Sequence, residues 1–312
     1  MPLTSEDNRN PSFGRALPAR LVWEHWFQDS NIWRLDLTTH KAERIIASTR
    51  LDSSPQLSPD GRSIVFVSDR TGTYQLWRAA SDGSNPVQLT RYSAEYPGSA
   101  RWSPDGLRIA FDLRADEGRA IFVLDLATAT ARQWTRWREG SRPSWSRDGR
   151  WIYYGDRTPE NGIDIWRVSA WAPAAPERIT TGGGTDPLDS PDGKTIYFTK
   201  SHGDLWSVPA AGGKAAQVLP TGVQGGWYSV TARGIFFADL YPGGGPALAV
   251  PRTPKPIRLL PYDLRRPFEV GKIEGQIIRD TPDFTVSADG RTVLFSILET
   301  STSQIRMLTM LP

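Results

Sequence analysis

Imidazole chemistry in this chain has only His25, His40 and His202 to draw on, and none of them stands at a spacing that would bring ligands to one metal ion. They read as surface histidines, and no metal is called for. Cysteine is absent, which excludes disulfides, thiolate ligands and a thiol nucleophile and leaves the redox compartment open. No Gly-x-Ser-x-Gly pattern is present, so serine hydrolysis is not supported either. Carboxylates remain. Asp60, Asp105, Asp148, Asp192 and Asp289 each precede a glycine in a turn where the backbone itself needs them. That leaves Asp186 and Asp189 as the best pair for carboxylate catalysis.

One further stretch could bind rather than react. Between Arg132 and Trp151, arginines alternate with Trp134, Trp137, Trp145 and Trp151, a mixture that on a flat surface stacks bases and holds phosphates. Trp134 and Trp145 fall at core positions of the repeat described next, so nucleic acid is not the expected partner. An acidic protein or a small anion suits the arginines better. The overall balance, 37 basic against 34 acidic residues, demands neither nucleic acid nor a membrane surface. No apolar run is long enough for a membrane span, and residues 1–20 lack the apolar middle of a secretory signal.

The elements that must position these residues repeat along the chain. Ser58-Pro59-Asp60-Gly61, Ser103-Pro104-Asp105-Gly106, Ser146-Arg147-Asp148-Gly149, Ser190-Pro191-Asp192-Gly193 and Ser287-Ala288-Asp289-Gly290 share one turn signal. The first four recur every 43 to 45 residues, the period of a propeller blade. In each, aspartate caps the turn and glycine takes the left-handed conformation that closes a hairpin. Strand-like alternation follows at Ile64/Phe66, Ile109/Phe111, Ile152/Tyr154, Ile196/Phe198 and Val293/Phe295. A third strand is marked by Leu76-Trp77, Ile121-Phe122, Ile165-Trp166 and Leu205-Trp206, and a short fourth ends in Gln88-Leu89-Thr90, Gln133-Trp134-Thr135 or Arg178-Ile179-Thr180. Four strands per unit make one blade.

Two degenerate units extend the series. Trp227 to Leu260 keeps the layout with Ala232-Arg233-Gly234 in place of the turn, and Leu21/Trp23, Ile32-Trp33 and Ile45 resemble strands two to four of an opening blade. The expected fold is therefore all-β: a seven-bladed propeller of four-stranded antiparallel blades, with six blades as the alternative if Leu21 to Ser48 merges into the last. The domain spans 21–312, and residues 1–20, with Phe13 and Leu17, are expected to supply the strand that closes the ring. The connection between Leu260 and Asp283 is about twice an ordinary loop, and its Arg265, Arg266 and Lys272 make it a candidate partner-binding loop.

Aligning the units places functional candidates on the innermost strands. Gln56, Arg101, Ser144, Ser229 and Thr285 share one position, with Ser54, Ser99, Arg142, Asp186 and Asp283 two residues earlier, so both sets face the channel or its mouth. Asp189 stands where the other units have Leu57, Trp102, Trp145, Val230 and Val286. A carboxylate at a position otherwise apolar breaks the local rule, and such places are enriched in function. The candidate ligand-binding residues are thus Arg101, Arg142, Ser144, Asp186, Asp189 and Asp283.

The Ser-Pro-Asp-Gly turns, Ser68-Asp69-Arg70, Asp36 after Ile32-Trp33-Arg34-Leu35, and Ser81-Asp82-Gly83 before Val87-Gln88-Leu89-Thr90 resemble the WD40-like repeats of TolB-type propellers. The run Asn31 to Thr49, with Phe198 following Gly182-Gly183-Gly184 and Ser190-Pro191-Asp192-Gly193, is similar to the C-terminal propellers of bacterial winged-helix regulators and Ser/Thr kinases. The resemblance covers about Leu21 to Met307. It implies a non-enzymatic sensing or interaction module that binds a protein or small ligand, with no cofactor, acting as a monomer. It also implies an extracytoplasmic location, whereas the chain as given, without a signal, would be cytoplasmic. The rival expectation is an enzyme with a carboxylate site near Asp186 and Asp189.

Overall fold

A computed structural model describes residues 8–14, 20–160, 162–200, 203–240, 254–277 and 282–309, with side chains between 28 and 300. His202 and Leu17 lie outside the described residues, as does the side chain of His25. The described strands form six antiparallel sheets. From the N-terminus they are β1 (Asn8–Gly14), β2 (Arg20–Asp36) and β3 (Ala42–Ile46). The first complete blade is β4 (Asp52–Leu57), β5 (Ser63–Ser68), β6 (Gln75–Ala80) and β7 (Val87–Gln88). The second is β8 (Tyr96–Trp102), β9 (Arg108–Ala115), β10 (Gly118–Asp125) and β11 (Thr130–Gln133). The third is β12 (Ser141–Trp145), β13 (Trp151–Arg157), β14 (Ile163–Ser169) and β15 (Glu177–Arg178). The fourth is β16 (Thr185–Asp189), β17 (Thr195–Thr199), β18 (Leu205–Pro209) and β19 (Ala216–Leu219). The fifth is β20 (Tyr228–Thr231), β21 (Gly234–Ala238), β22 (Lys255–Leu260) and β23 (Phe268–Ile273).

The sixth blade corrects the expected count of seven. Its first two strands are β24 (Phe284–Val286) and β25 (Thr292–Thr309), and its third and fourth are β2 and β3 from the other end of the chain. Asp36 through Asn31 pair in order with Thr292 through Ile297, and Ala42 to Ile46 line the other edge of β2. Ile32-Trp33 and Ile45 were rightly placed as third and fourth strands, but Leu21/Trp23 belongs to the same continuous β2, so the opening and final units are halves of one blade. The segment before Leu21 does not supply the closing strand: β1 pairs with β2 around Leu21 to His25, beyond the stretch from Asn31 to Asp36 where β2 joins β25 and β3 in the sixth blade. The long connection after Leu260 is corrected too, because it contains β23, the fourth strand of blade five. Gly271 in that strand sits so close to Leu37 that a Cβ there would approach it to 2.9 Å.

Each repeated motif has a visible physical cause. In the first turn the Gly61 N–H donates to the Ser58 carbonyl at 2.9 Å, the Ser58 hydroxyl donates to Asp60 Oδ1 at 2.5 Å, and Ser63 N–H donates to Ser58 Oγ at 2.9 Å. The serine hydroxyl, together with a main-chain N–H, holds the Asp60 and Asp192 carboxyls below the usual carboxylate range. Farther on, the Thr90, Thr135 and Thr180 hydroxyls accept the N–H groups of Leu76, Ile121 and Ile165, each at 2.9 Å. The preceding side chain finishes the motif, Gln88 and Gln133 donating to the Thr90 and Thr135 carbonyls at 2.6 and 2.7 Å. A short outer strand thereby ends without orphaned main-chain groups.

Apolar clusters lie between blades rather than within them. Val65, Val67 and Leu76 pack on Ala100, Ile109 and Phe111 of the next blade, and Trp227 and Phe236 pack on Leu35, Val293 and Phe295 across the closing joint. The turns therefore set strand register for a core that no blade completes alone. Gly106 has φ of +71° with only Pro59 near the place of a Cβ, so its conformation rather than its space forbids other residues. Gly106→Val is expected to cost about 1–3 kcal/mol. An unchanged melting temperature would contradict this assignment of the turn.

Candidate functional site

The innermost strands β4, β8, β12 and β16 each carry a bulge, where the register with the neighbouring strand skips between Ser53 and Gln56, Gly98 and Arg101, Ser141 and Ser144, and Thr185 and Leu188. At every bulge one non-glycine residue is left-handed: Ser54 at φ +55°, Ser99 at +49°, Arg142 at +53° and Asp186 at +55°. These are four of the five residues aligned by sequence. Left-handed backbone at such side chains costs roughly 1–3 kcal/mol apiece and persists only where the surroundings fix it.

The fixing contacts form a plug of packed polar groups between the innermost strands of the third, fourth and fifth blades. Arg142 Nη1 lies 2.6 Å from Asp186 Oδ1. The Tyr228 hydroxyl donates to the Asp186 carbonyl, and burial raises its pKa well above the ordinary tyrosine value. A Cβ on Gly225 would come within 2.4 Å of Asp186 Oδ2, so only glycine lets this loop close over the pair. What space remains beside Arg142, Asp186 and Pro282 is about 10 Å³. Asp283 lies elsewhere: fully buried, its Oδ1 accepts the Ser54 N–H and the Ser296 hydroxyl, tying the sixth blade to the first.

On the turn side of the plug the channel widens into a cavity of about 870 Å³. Arg101, Ser144, Asp189, Tyr228, Ser229 and Thr285 are among its walls. Among the described residues, no acid lies within 4 Å of the Arg101 guanidinium, whose one hydrogen bond is to the Ala100 carbonyl at 3.4 Å. Burial lowers its pKa from the usual arginine value, against the pull of Asp186. Ser144 Oγ is buried without a partner. A cationic group and a hydroxyl thus lie in the wall of one cavity.

Asp186 and Asp189 are not brought together. Asp186 belongs to the plug, whereas Asp189 stands in the wall of the mouth with Oδ2 accepting the Arg147 N–H at 2.7 Å. Burial pushes the Asp189 carboxyl up to about 6, with the Arg147 N–H opposing. Sequence alignment found Asp189 as an exception but not its cause: it takes the place of the inter-blade tryptophans. Trp102 and Trp145 donate their indole N–H to the carbonyls of Gln56 and Arg101 in the preceding blade, at 3.1 and 3.0 Å. Sequence reading had Arg147 only as one of the arginines between Arg132 and Trp151, and nothing there set it beside Asp189.

The remaining candidates split between two places. Arg265 and Arg266 are exposed on the connection from β22 to β23, beside the exposed Tyr262, Leu264 and Phe268. Lys272 lies on β23 itself, 3.4 Å from Glu269, in the wall of a cavity of about 1500 Å³ between blades five and six. His40 lines that cavity as well. No group of three potential metal ligands occurs among the described residues.

Residues 21–170 match a family model described as the TolB beta propeller domain. That part of the chain is TolB-type propeller. An uncharacterized protein of Agrobacterium fabrum is 31% identical over 49% of this chain and 52% of its own length. The Tol-Pal system protein TolB of Bordetella pertussis is 30% identical over 52% of this chain and 35% of its own length. The chain thus spans about half, or less, of the length of these curated relatives. Among solved structures, a candidate TolB from Agrobacterium tumefaciens superposes with a TM-score of 0.72 at 21% identity, covering 88% of this chain and 99% of the other. At that identity the superposition speaks for the fold. The TolB-type repeats, four-stranded antiparallel blades and bacterial relatives agree with the resemblance read from the turns, and the blade number is six.

Proposed function

We propose that this TolB-type propeller is a non-enzymatic interaction module whose channel mouth captures an anionic group of a partner protein, with Arg101 as the anchor. The observation that carries the reading is a guanidinium facing an 870 Å³ cavity with no acid within 4 Å among the described residues. A half-buried cation of this kind gains more from a ligand carboxylate than a surface cation does, because the charge-assisted hydrogen bond is partly screened from water. Ser144 Oγ, buried without a partner, adds a donor to the same wall. Arg142 and Asp186 act as the base that keeps the pocket shut, and Asp189 as part of its rim. Asp283 contributes by holding the closing blade in place, and Arg265 and Arg266 offer a second basic contact on the same end of the propeller.

Catalysis fits less well. Paired-carboxylate chemistry needs two acids facing one substrate, and here Asp186 is committed to Arg142 while Asp189 faces another space. A relative named as a protein of the Tol-Pal system supports an interaction role. Sensor propellers of winged-helix regulators and kinases, which the repeats also resemble, would use the same kind of capture as an input. The domain assignment, one propeller over 21–312 acting as a monomer, belongs to this reading.

NMR titration with N-acetylglutamate tests it. Arg101→Ala is expected to weaken binding by roughly 10- to 100-fold, the worth of one hydrogen bond to a charged group. Equal affinity of the two proteins, or no binding by the unaltered one, would remove Arg101 as the anchor.

A further inference from the structure

The joint between the third and fourth blades is built unlike the two before it. At those two joints Trp102 and Trp145 fill the space beside the turn, with the Arg78 guanidinium 5.9 Å from the Trp102 ring and Arg108 4.9 Å from Trp145. In the fourth blade the place of the tryptophan is taken by Asp189, which has no ring to fill the joint. Arg167, the counterpart of Arg78 on the third strand, lies instead 4.3 Å from the ring of Trp151 in its own blade and donates to the Ala210 carbonyl at 3.0 Å. A cavity of about 440 Å³ is left between the blades, and Arg147 and Asp189 line both it and the mouth of the channel.

Other joints with small residues at this place are bridged. Beside Val230, Tyr262 stacks on Tyr197 with ring centres 6.4 Å apart and donates to the Thr231 carbonyl at 2.7 Å. Across the next joint, Arg233 donates to the Gly290 carbonyl at 3.0 Å. Between blades three and four, two polar groups are left wanting. Asp189 Oδ1 is buried without a hydrogen-bond partner, and no acid lies within 4 Å of the Arg147 guanidinium among the described residues. Arg150 and Arg167 already hold Asp148 and Glu177 at 2.7 and 2.6 Å, so the uncommitted charge is that of Arg147.

We propose that the gap between blades three and four is a binding groove for an extended acidic peptide segment of a partner protein, continuous with the channel mouth. A main-chain N–H of the segment donates to Asp189 Oδ1, one acidic side chain meets Arg147, and another reaches Arg101. A small anion satisfies the cations but not the carboxylate acceptor. An extended chain offers both main-chain N–H donors and acidic side chains, which Asp189 and the two arginines together require. The proposal rests on the reading that the mouth takes an anion through Arg101.

Its test uses the whole chain, a fluorescein-labelled decapeptide of alternating glutamate and serine followed by anisotropy, and N-acetylglutamate followed by NMR. Asp189→Trp installs the residue that blades two and three carry at this place and is expected to close the groove without opening the fold. Peptide affinity should fall at least tenfold, a larger factor than any change for N-acetylglutamate, since Asp189 and Arg147 also border the mouth. Arg101→Ala should weaken both ligands. Should Asp189→Trp fail to give a cooperative melt, Arg147→Ala takes its place with the same expected split. Undiminished peptide binding by the folded variant overturns the groove and leaves the mouth standing, as does an unaltered protein that binds N-acetylglutamate but not the peptide. Failure of the unaltered protein to bind either ligand overturns the anion reading and the groove with it.

Discussion

A chain ended at Arg291 is expected to lose its cooperative unfolding transition, whereas a chain lacking residues 1–19 is expected to melt within a few degrees of the whole. The first truncation removes β25, and with it Val293 and Leu294, which are fully buried, and Phe295, at 1% exposure. Losing side chains of this kind to solvent costs about 2–5 kcal/mol each, which together rivals the roughly 5–15 kcal/mol by which a domain is stable at all. It also leaves β2 without the ladder from Asn31 to Asp36, so the ring opens between its fifth and first blades. The second truncation removes β1, whose pairing with β2 lies around Leu21 to His25 and outside that ladder. Thermal melts followed by circular dichroism separate the cases. A cooperative melt near the original temperature for the chain ended at Arg291 would move closure elsewhere, and its loss on removing residues 1–19 would assign it to the N-terminal segment.

The reason this joint was misread in the sequence is physical. Local periodicity reports which residues lie on one face of a strand, not which distant strand lies beside it. Ile32-Trp33 and Ile45 looked like strands of a blade because they are, but the first two strands of that blade lie some 250 residues later, around Phe284 and Phe295. The turns were legible for the opposite reason, since serine, aspartate and glycine satisfy one another within a few residues, as Ser58, Asp60 and Gly61 do. Blade five lost its fourth strand in the reading because Phe268 to Ile273 carries no threonine to end it and a glycine in its middle.

The site divides in the same way. Alignment put Ser54, Ser99, Arg142 and Asp186 at one place on the innermost strands, and the shared left-handed backbone shows that the place is a real structural position. Alternation alone set them on the same face as the residues two positions later. The bulge separates the two sets instead, sending Arg142 and Asp186 into the plug and Ser144 into the mouth. The pairing of Asp186 with Arg142 joins two blades 44 residues apart, and nothing near either residue foretells it. Asp189 was legible as an exception because the repeat supplied the rule. Arg147 was legible as one arginine of a basic segment but not as the neighbour of Asp189, which lies 42 residues away in the next blade.

The plug and the mouth depend on a buried acid that neither contains. Asp164, at 1% exposure, accepts from Arg178 Nε at 2.9 Å, from the Thr180 hydroxyl at 3.0 Å and from Gly183 N–H at 2.9 Å. Arg178 ends β15, and Thr180 and Gly183 lie in the connection from it into β16, the strand of Asp186 and Asp189. Among the described residues, Asp164→Ala would leave Arg178 only Glu160 at 3.8 Å and the Thr180 carbonyl at 3.1 Å, and would strip two further donors of their acceptor. The loss of one partner from a buried ion pair costs about 3–5 kcal/mol. Arg178 keeps about a third of its side chain in water, so the lower part of that range is expected. Glu177→Ala is the control, since Glu177 pairs with Arg167 at the surface and its removal should cost less than about 1 kcal/mol. Urea titration of the two variants gives the comparison, and Asp164→Ala should also weaken N-acetylglutamate binding as β16 loses its anchor. If the two variants prove equally stable, the Asp164 network does not hold the connection, and the rigidity of the mouth must come from the plug alone.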